Sequence, residues 1–177
     1  MSRKALIVRM TLIMDITYKD SEFRIKGKTG VLYSRPNGVL IESPDGSTKK
    51  ELSGAGEYEV SEISVIGIKS EENVVFVYEV DGLRVCNLGN QIKKLSDSKL
   101  TQIGDIDVLL LPNSAESIEM LQQIESYYVI PFGFNTEEEL DKFLKESSLT
   151  VEKLNKLSLK KEDLMEDSTA QIVVLQN

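Results

Sequence analysis

The sequence predicts an α/β (α+β) protein with a strand-rich first half and helices contributed mainly by its C-terminal half. Three observations carry this. Before Gly89, short alternating runs are separated by turn residues; after it, apolar strands alternate with stretches of helical periodicity. The length of 177 residues, with 41% hydrophobic and 28% charged residues, suits one domain with a substantial core.

In chain order, residues 5–14 are apolar behind Arg3 and Lys4 and superficially resemble a signal peptide. Arg9 interrupts the run, and no small-residue cleavage site precedes Asp15. The stretch is also too short to span a bilayer. It reads as a buried strand, or as residues ahead of an internal start at Met14, and is set apart as an extension covering 1–13. Residues 15–25 alternate loosely, with Ile16, Tyr18, Phe23 and Ile25 as the apolar positions. Runs at 31–35 and 39–43 flank Pro36-Asn37-Gly38, a hairpin signal, and Pro44-Asp45-Gly46 closes that unit. Residues 62–68 form another alternating strand. The clearest hairpin joins 74–80 to 83–87 through Asp81-Gly82, a pair suited to a type I′ turn.

Beyond Gly89, Leu95, Leu100 and Ile103 suggest a short helix ended by Gly104, followed by an apolar strand over 106–111. Ile118, Leu121 and Ile124 share a helical face, and 127–132 is a buried-strand candidate. Thr136-Glu-Glu-Glu139 is a capping box opening a helix with Leu140, Phe143 and Leu144 inward. Residues 149–154 and 171–175 supply final strands, with a helical turn near 160–164.

Composition excludes several function classes. Twenty-one basic against 29 acidic residues give a net charge of −8, which repels nucleic acid. The single cysteine, Cys86, rules out an intrachain disulfide and fits a reducing cytoplasm. Histidine, the commonest metal ligand and the default general base, is absent. Cys86 lies in an apolar strand and reads as a buried thiol rather than a nucleophile. Glu57 and Glu59 share one side of a strand and read as structural; Asp105 and Asp107 read as a strand-entry loop. Ser53-Gly-Ala-Gly56 reads as a tight turn, lacking the spacing of a phosphate loop.

Several segments, in order, resemble the metallo-β-lactamase-fold hydrolases, and within them the lactonase-like branch that includes L-ascorbate-6-phosphate lactonases. They are Gly54-Ala-Gly-Glu-Tyr-Glu-Val60 with Ile63-Ser-Val-Ile-Gly-Ile68, then Val77-Tyr-Glu-Val-Asp-Gly-Leu-Arg-Val-Cys-Asn-Leu-Gly-Asn90. Lys94-Leu95, residues 104–112 and Val129-Ile-Pro131 follow, with residues 16–25 upstream. The resemblance spans residues 14–177 and implies a reduced αββα sandwich of two mixed sheets. Such hydrolases hold two divalent metals that share an activated hydroxide.

The ligand positions implied by the resemblance are altered here. The strand-loop-helix carrying His-x-His-x-Asp-His is missing, its place taken by residues near 43–52. The early Gly-His is replaced at or beside Asp20, and the next histidine is lacking from 69–73. Asn87 stands for histidine, Asn90 for the bridging aspartate, and Gly133 for the last histidine. A neutral amide matches a carboxylate in shape but cannot balance two dications.

The expectation is therefore a cytoplasmic pseudoenzyme without metal or cofactor, acting as an interaction or structural module. It would contact neither nucleic acid nor membrane. With the covering helix deleted, apolar strand faces of the N-terminal half would need cover, either from residues 5–14 or from a second subunit, so a homo-oligomer or protein partner is expected. Two alternatives stand beside this. One is a histidine-free hydrolase with Mg²⁺ or Mn²⁺ on Asp20, Glu57, Asp105 or Asp107. The other is a small-ligand site between 87–90 and 132–135, with Asn87, Asn90 and Asn135 as hydrogen-bonding groups and Phe132 or Phe134 as apolar contacts.

Overall fold

The computed structural model describes residues 11–71 and 73–176. The first ten residues of the proposed 1–13 extension lie outside that range.

The loosely alternating stretch forms two strands: Met14–Lys19 (β1) and Glu22–Lys26 (β2) pair antiparallel about Asp20-Ser21. Both turn residues are left-handed, with φ of 51° and 62°. A two-residue turn of this hand matches the strand twist even without glycine. Val31–Arg35 (β3), Gly38–Glu42 (β4) and Lys49–Leu52 (β5) continue the meander. Leu157–Leu159 (β13), too short to stand out in the sequence, adds to β1. The resulting six-stranded sheet, β13-β1-β2-β3-β4-β5, pairs antiparallel.

The chain bends at Gly54-Ala55 into the second sheet. There Gly67 is required, because a Cβ on it would stand 2.5 Å from the Gly54 carbonyl oxygen. Gly56–Val60 (β6), Ile63–Lys69 (β7), Val74–Val80 (β8) and Leu83–Asn87 (β9) form an antiparallel run. Asp81-Gly82 turns β8 into β9 with φ of 51° and 77°. Parallel strands Val108–Pro112 (β10), Tyr128–Phe132 (β11), Gln171–Leu175 (β14) and Thr150–Leu154 (β12) complete eight strands in the order β12-β14-β11-β10-β9-β8-β7-β6.

Three helices connect the later strands: Asp97–Ile103 (α1), Ser117–Gln123 (α2) and Glu137–Ser147 (α3). Gly104 ends α1 at φ 66°, its N–H donating to the Leu100 carbonyl. Thr136 Oγ1 accepts from the Glu139 N–H at 3.2 Å, capping α3. Glu139 Oε2 answers the N–H of Asn135, one residue outside the usual reciprocal partner.

Strand alternation sends side chains of the second sheet into two cores. One, including Ile16, Phe23, Leu32, Ile41, Tyr78, Val85 and Leu110, lies between the sheets. The other, including Val77, Cys86, Leu109, Ile103, Met120 and Phe143, lies under the helices. Each fully buried aliphatic or aromatic side chain contributes about 1.5–3 kcal/mol. Cys86 is fully buried there, its thiol pushed up to about 12 by desolvation.

The outer face of the first sheet bears on the expectation that it needs cover. Cross-strand register places Asp15, Lys26, Val31, Glu42 and Lys49 in one row. Thr17, Arg24, Tyr33, Leu40 and Glu51 form the next. Only Val31, Tyr33 and Leu40 in these rows are apolar, and each is half-buried. Lys49 pairs with Glu42 at 2.9 Å and Lys156 with Asp15 at 3.3 Å. Among the described residues no helix lies over this face, whose charged and half-buried side chains are compatible with solvent.

Candidate functional site

In sheets containing parallel strands, ligand sites gather beyond the strands' carboxyl ends. Here those ends are Asn87, Pro112 and Phe132. Asn87 points between the sheets and is only 7% exposed. Its Nδ2 donates to Ser34 Oγ at 2.6 Å, and its Oδ1 accepts from the Gly89 N–H at 2.8 Å. Ser34 Oγ lies 2.7 Å from Tyr78 Oη. An amide, an alcohol and a phenol thus join the two sheets through a neutral chain. Burial raises the Tyr78 phenol pKa far above its ordinary value, against smaller lowering contributions from Ser34 and Asn87.

The turn after β9 is equally specified. Gly89 adopts φ 60°, and a Cβ on it would come within 2.7 Å of Asn73 Nδ2. That amide donates to the Leu88 carbonyl at 3.0 Å. Buried Gln91 donates to the Lys93 carbonyl at 2.8 Å and accepts from Ser70 Oγ at 2.8 Å. Asn90 is exposed beyond this turn. Around Lys69 to Asn73, where the resemblance implies a histidine, the Ser70 N–H donates to the Asn73 carbonyl at 2.8 Å.

A cavity of about 140 Å³ opens in front of Asn87 and Gly89. Its other walls include Arg35, Asn37, Ser53, Asn73 and Phe76, so the β3–β4 turn borders it. Phe132 instead packs against Phe23 and Tyr18, at ring distances of 5.1 and 6.0 Å. Phe134 packs on Phe143 at 5.5 Å. Gly133 turns the chain at φ 79°, and the Asn135 N–H is held by Glu139. Of the residues singled out in the sequence, Asn87 therefore lines the cavity, while Phe132, Phe134 and Asn135 are engaged in packing and capping. Arg35, Asn37 and Asn73 escaped sequence reasoning because nonlocal pairing brings them there. Ser34 left a signal: it occupies an inward position on β3 beside Leu32.

The donor set does not fit a pair of divalent metals. The chain contains no histidine, and among the described residues no three Cys, Asp or Glu side chains converge to hold a cation. Asp20 sits in the β1–β2 turn, and Glu57 and Glu59 are exposed on edge strand β6. Asp105 and Asp107 precede β10, at the end opposite Asn87. Asp107 accepts from the Arg84 N–H at 2.8 Å and from Lys161 Nζ at 2.9 Å. It has a structural role there, fastening β9 and the segment after β13 to the entry of β10.

Among the described residues, no helix is long and apolar enough to cross a membrane. No curated protein matches the chain. A crystal structure of a protein from Thermotoga maritima, assigned as a Zn-dependent hydrolase of the metallo-β-lactamase superfamily, superposes with a TM-score of 0.72 at 21% identity. That match covers 92% of this chain and 100% of the other. A protein from Parabacteroides distasonis assigned as a metal-dependent hydrolase gives 0.50 at 10% identity, over 94% of this chain and 100% of that one. At these identities the likeness concerns the fold. The family model described as "Beta-lactamase superfamily domain" matches residues 21–133, well over half the chain. With its two packed sheets and helical layer, the chain shares the fold of the Thermotoga maritima protein of the metallo-β-lactamase superfamily, and by the family model it belongs to the beta-lactamase superfamily.

Proposed function

We propose that this chain is a non-catalytic member of its superfamily, a cytoplasmic interaction or structural module of the lactonase-like branch. The observation that carries the reading is Asn87. At a strand end where the resemblance implies a metal-binding histidine, it bears an amide whose polar atoms are already engaged by Ser34 and Gly89. Asn90 and Gly133 add no charge to the same end. Both structural relatives bear names that assign metal-dependent hydrolysis, so the proposal concerns loss in this chain alone.

Elemental analysis of gently purified protein, paired with ester, lactone and phosphodiester assays, tests it. The expected outcome is far less than one metal per chain and no turnover with added Zn²⁺ or Mn²⁺. Two tightly held metals together with hydrolysis would overturn it. Whether the partner is a second copy is read by light scattering behind a sizing column. A dimer mass would support self-association, and a monomer at micromolar concentration would remove it.

A second reading is favoured by the cavity of about 140 Å³ at Asn87, which suits a small polar molecule. Thermal-shift screening with sugar phosphates and nucleotides separates the two readings. Saturable stabilisation would favour a ligand-binding module.

A further inference from the structure

Among the described residues, each sheet ends in two strands whose outer edges carry no neighbouring strand: β13 and β5 in the first, β12 and β6 in the second. An open edge invites another strand unless charge or brevity deters it. Three of the four are deterred. β13 has three residues, and Ser158 with neighbouring Lys156 is held on Asp15. β5 is a run of exposed Lys49, Lys50 and Glu51 before buried Leu52. β6 exposes Glu57 and Glu59.

β12 differs. Residues Thr150, Val151, Glu152 and Lys153 are all exposed, and Val151 sets an apolar side chain, 36% exposed, on the open edge. The Gln176 N–H donates to the Leu154 carbonyl at 2.8 Å, and Leu154 pairs with Leu175 of β14. Backbone groups alternate in direction along a strand. Leu154, Glu152 and Thr150 therefore turn theirs toward β14, while Val151 and Lys153 turn theirs outward. Among the described residues, no backbone hydrogen bond occupies those outward groups.

We propose, resting on the reading of the chain as a self-associating module, that β12 pairs antiparallel with β12 of a second copy across a two-fold axis at Val151. The two eight-stranded sheets would then run on as one. Outward residues must face outward residues in an antiparallel ladder, so the axis passes through a residue that meets its own copy. An axis at Glu152 or Lys153 sets like charges together, which destabilises a cross-strand pair. An axis at Thr150 sets Lys153 opposite the partner's Ser147, which is helical. At Val151 the central contact is apolar, with Thr150 opposite the partner's Glu152 and Lys153 opposite the partner's Leu149. Val151 is level with Ile172, a residue of the core beneath the helices, so the pair extends that core across the boundary. The other edges fail the same test. About Tyr58, Glu57 of β6 would oppose the partner's Glu59, and an axis anywhere from Lys49 to Glu51 of β5 sets a charge against itself.

Cysteine scanning along this edge in the full chain reads both the contact and its register. An axial residue faces its own copy with Cα atoms about 5.5 Å apart, within disulfide reach. Under mild oxidation by diamide, Val151→Cys is expected to give a covalent dimer as the main species on a non-reducing gel. Glu152→Cys, Lys153→Cys and the parent, whose Cys86 is buried, are expected to stay largely unlinked. Stronger linking at position 152 or 153 than at 151 would overturn the axis. Light scattering behind a sizing column then compares the parent with Val151→Lys, which sets like charges on the axis at an exposed position. The parent at twice the chain mass and Val151→Lys at the single mass, with unchanged far-UV circular dichroism, is the expected result. If both keep the doubled mass, the chain self-associates through another surface and the β12 pairing alone falls. A monomeric parent at micromolar concentration removes the pairing and self-association together, whatever Val151→Cys shows.

Discussion

The outer faces of the two sheets solve the same problem in opposite ways. The face of the eight-stranded sheet that points away from its partner is apolar and lies under three helices, with Met120 and Phe143 seated in it. The corresponding face of the six-stranded sheet bears charge pairs and half-buried apolar side chains among polar ones. A protein can therefore dispense with a covering layer if the strands beneath it are repatterned. Large apolar surface is not an obligatory consequence of a missing helix.

The contrast can be broken most forcefully from the helical side. Phe143→Ala removes the aromatic that anchors α3 and contacts Phe134, and is expected to cost about 3–5 kcal/mol in urea denaturation. A loss under about 1 kcal/mol would mean that the helices are not a true core layer.

Alkaline titration comes next and reaches both cores of the eight-stranded sheet. Cys86 faces the helices and Tyr78 faces the other sheet. Both side chains have raised pKa values because burial disfavours their anions. The unfolded chain ionises the thiol near its ordinary value of 9.0, whereas the folded chain holds the proton until about 12. The corresponding stability is fully present below pH 9 and is lost as pH rises toward 12. The slope is on the order of 1.4 kcal/mol per pH unit for the thiol. Cys86→Ala should flatten the decline between pH 9 and 10, before tyrosine contributes; an unchanged slope would contradict burial of the thiol.

Ser34→Ala probes the layer shared by both sheets. It leaves the Asn87 amide and Tyr78 hydroxyl without their common partner and is expected to cost about 1–3 kcal/mol. Restoration by Ser34→Thr would sharpen the assignment to the hydroxyl. The smallest effect belongs to the bare face: Leu40→Thr is expected to alter stability by less than about 1 kcal/mol. A larger loss, or a concentration-dependent melting temperature in the parent chain alone, would indicate that this face is covered after all.

Much of the architecture was legible because its signals are local. Asp81-Gly82 and Pro36-Asn37-Gly38 specify their hairpins through residues that accept the turn geometry. Asp20-Ser21 carries no glycine, and the clue lay elsewhere. Apolar positions fall at 16 and 18, then at 23 and 25, so the alternation slips phase between Tyr18 and Phe23, which face each other across the hairpin. β13 was hidden because three residues establish no period. At the site, Asn87 was legible from the segment around it, whereas the cavity walls were not. Arg35 and Asn73 reach it through pairings far apart in the chain, which no local pattern reports.

The Tyr78–Ser34–Asn87 chain has one more consequence. Its members carry no formal charge at ordinary pH, so the seam they close should be indifferent to chelators, to ionic strength and to mild acid. The same seam built around a cation would loosen under EDTA. At matched ionic strength, EDTA should accordingly leave the contribution of this seam to stability unchanged, because dipoles close it where ions could have stood.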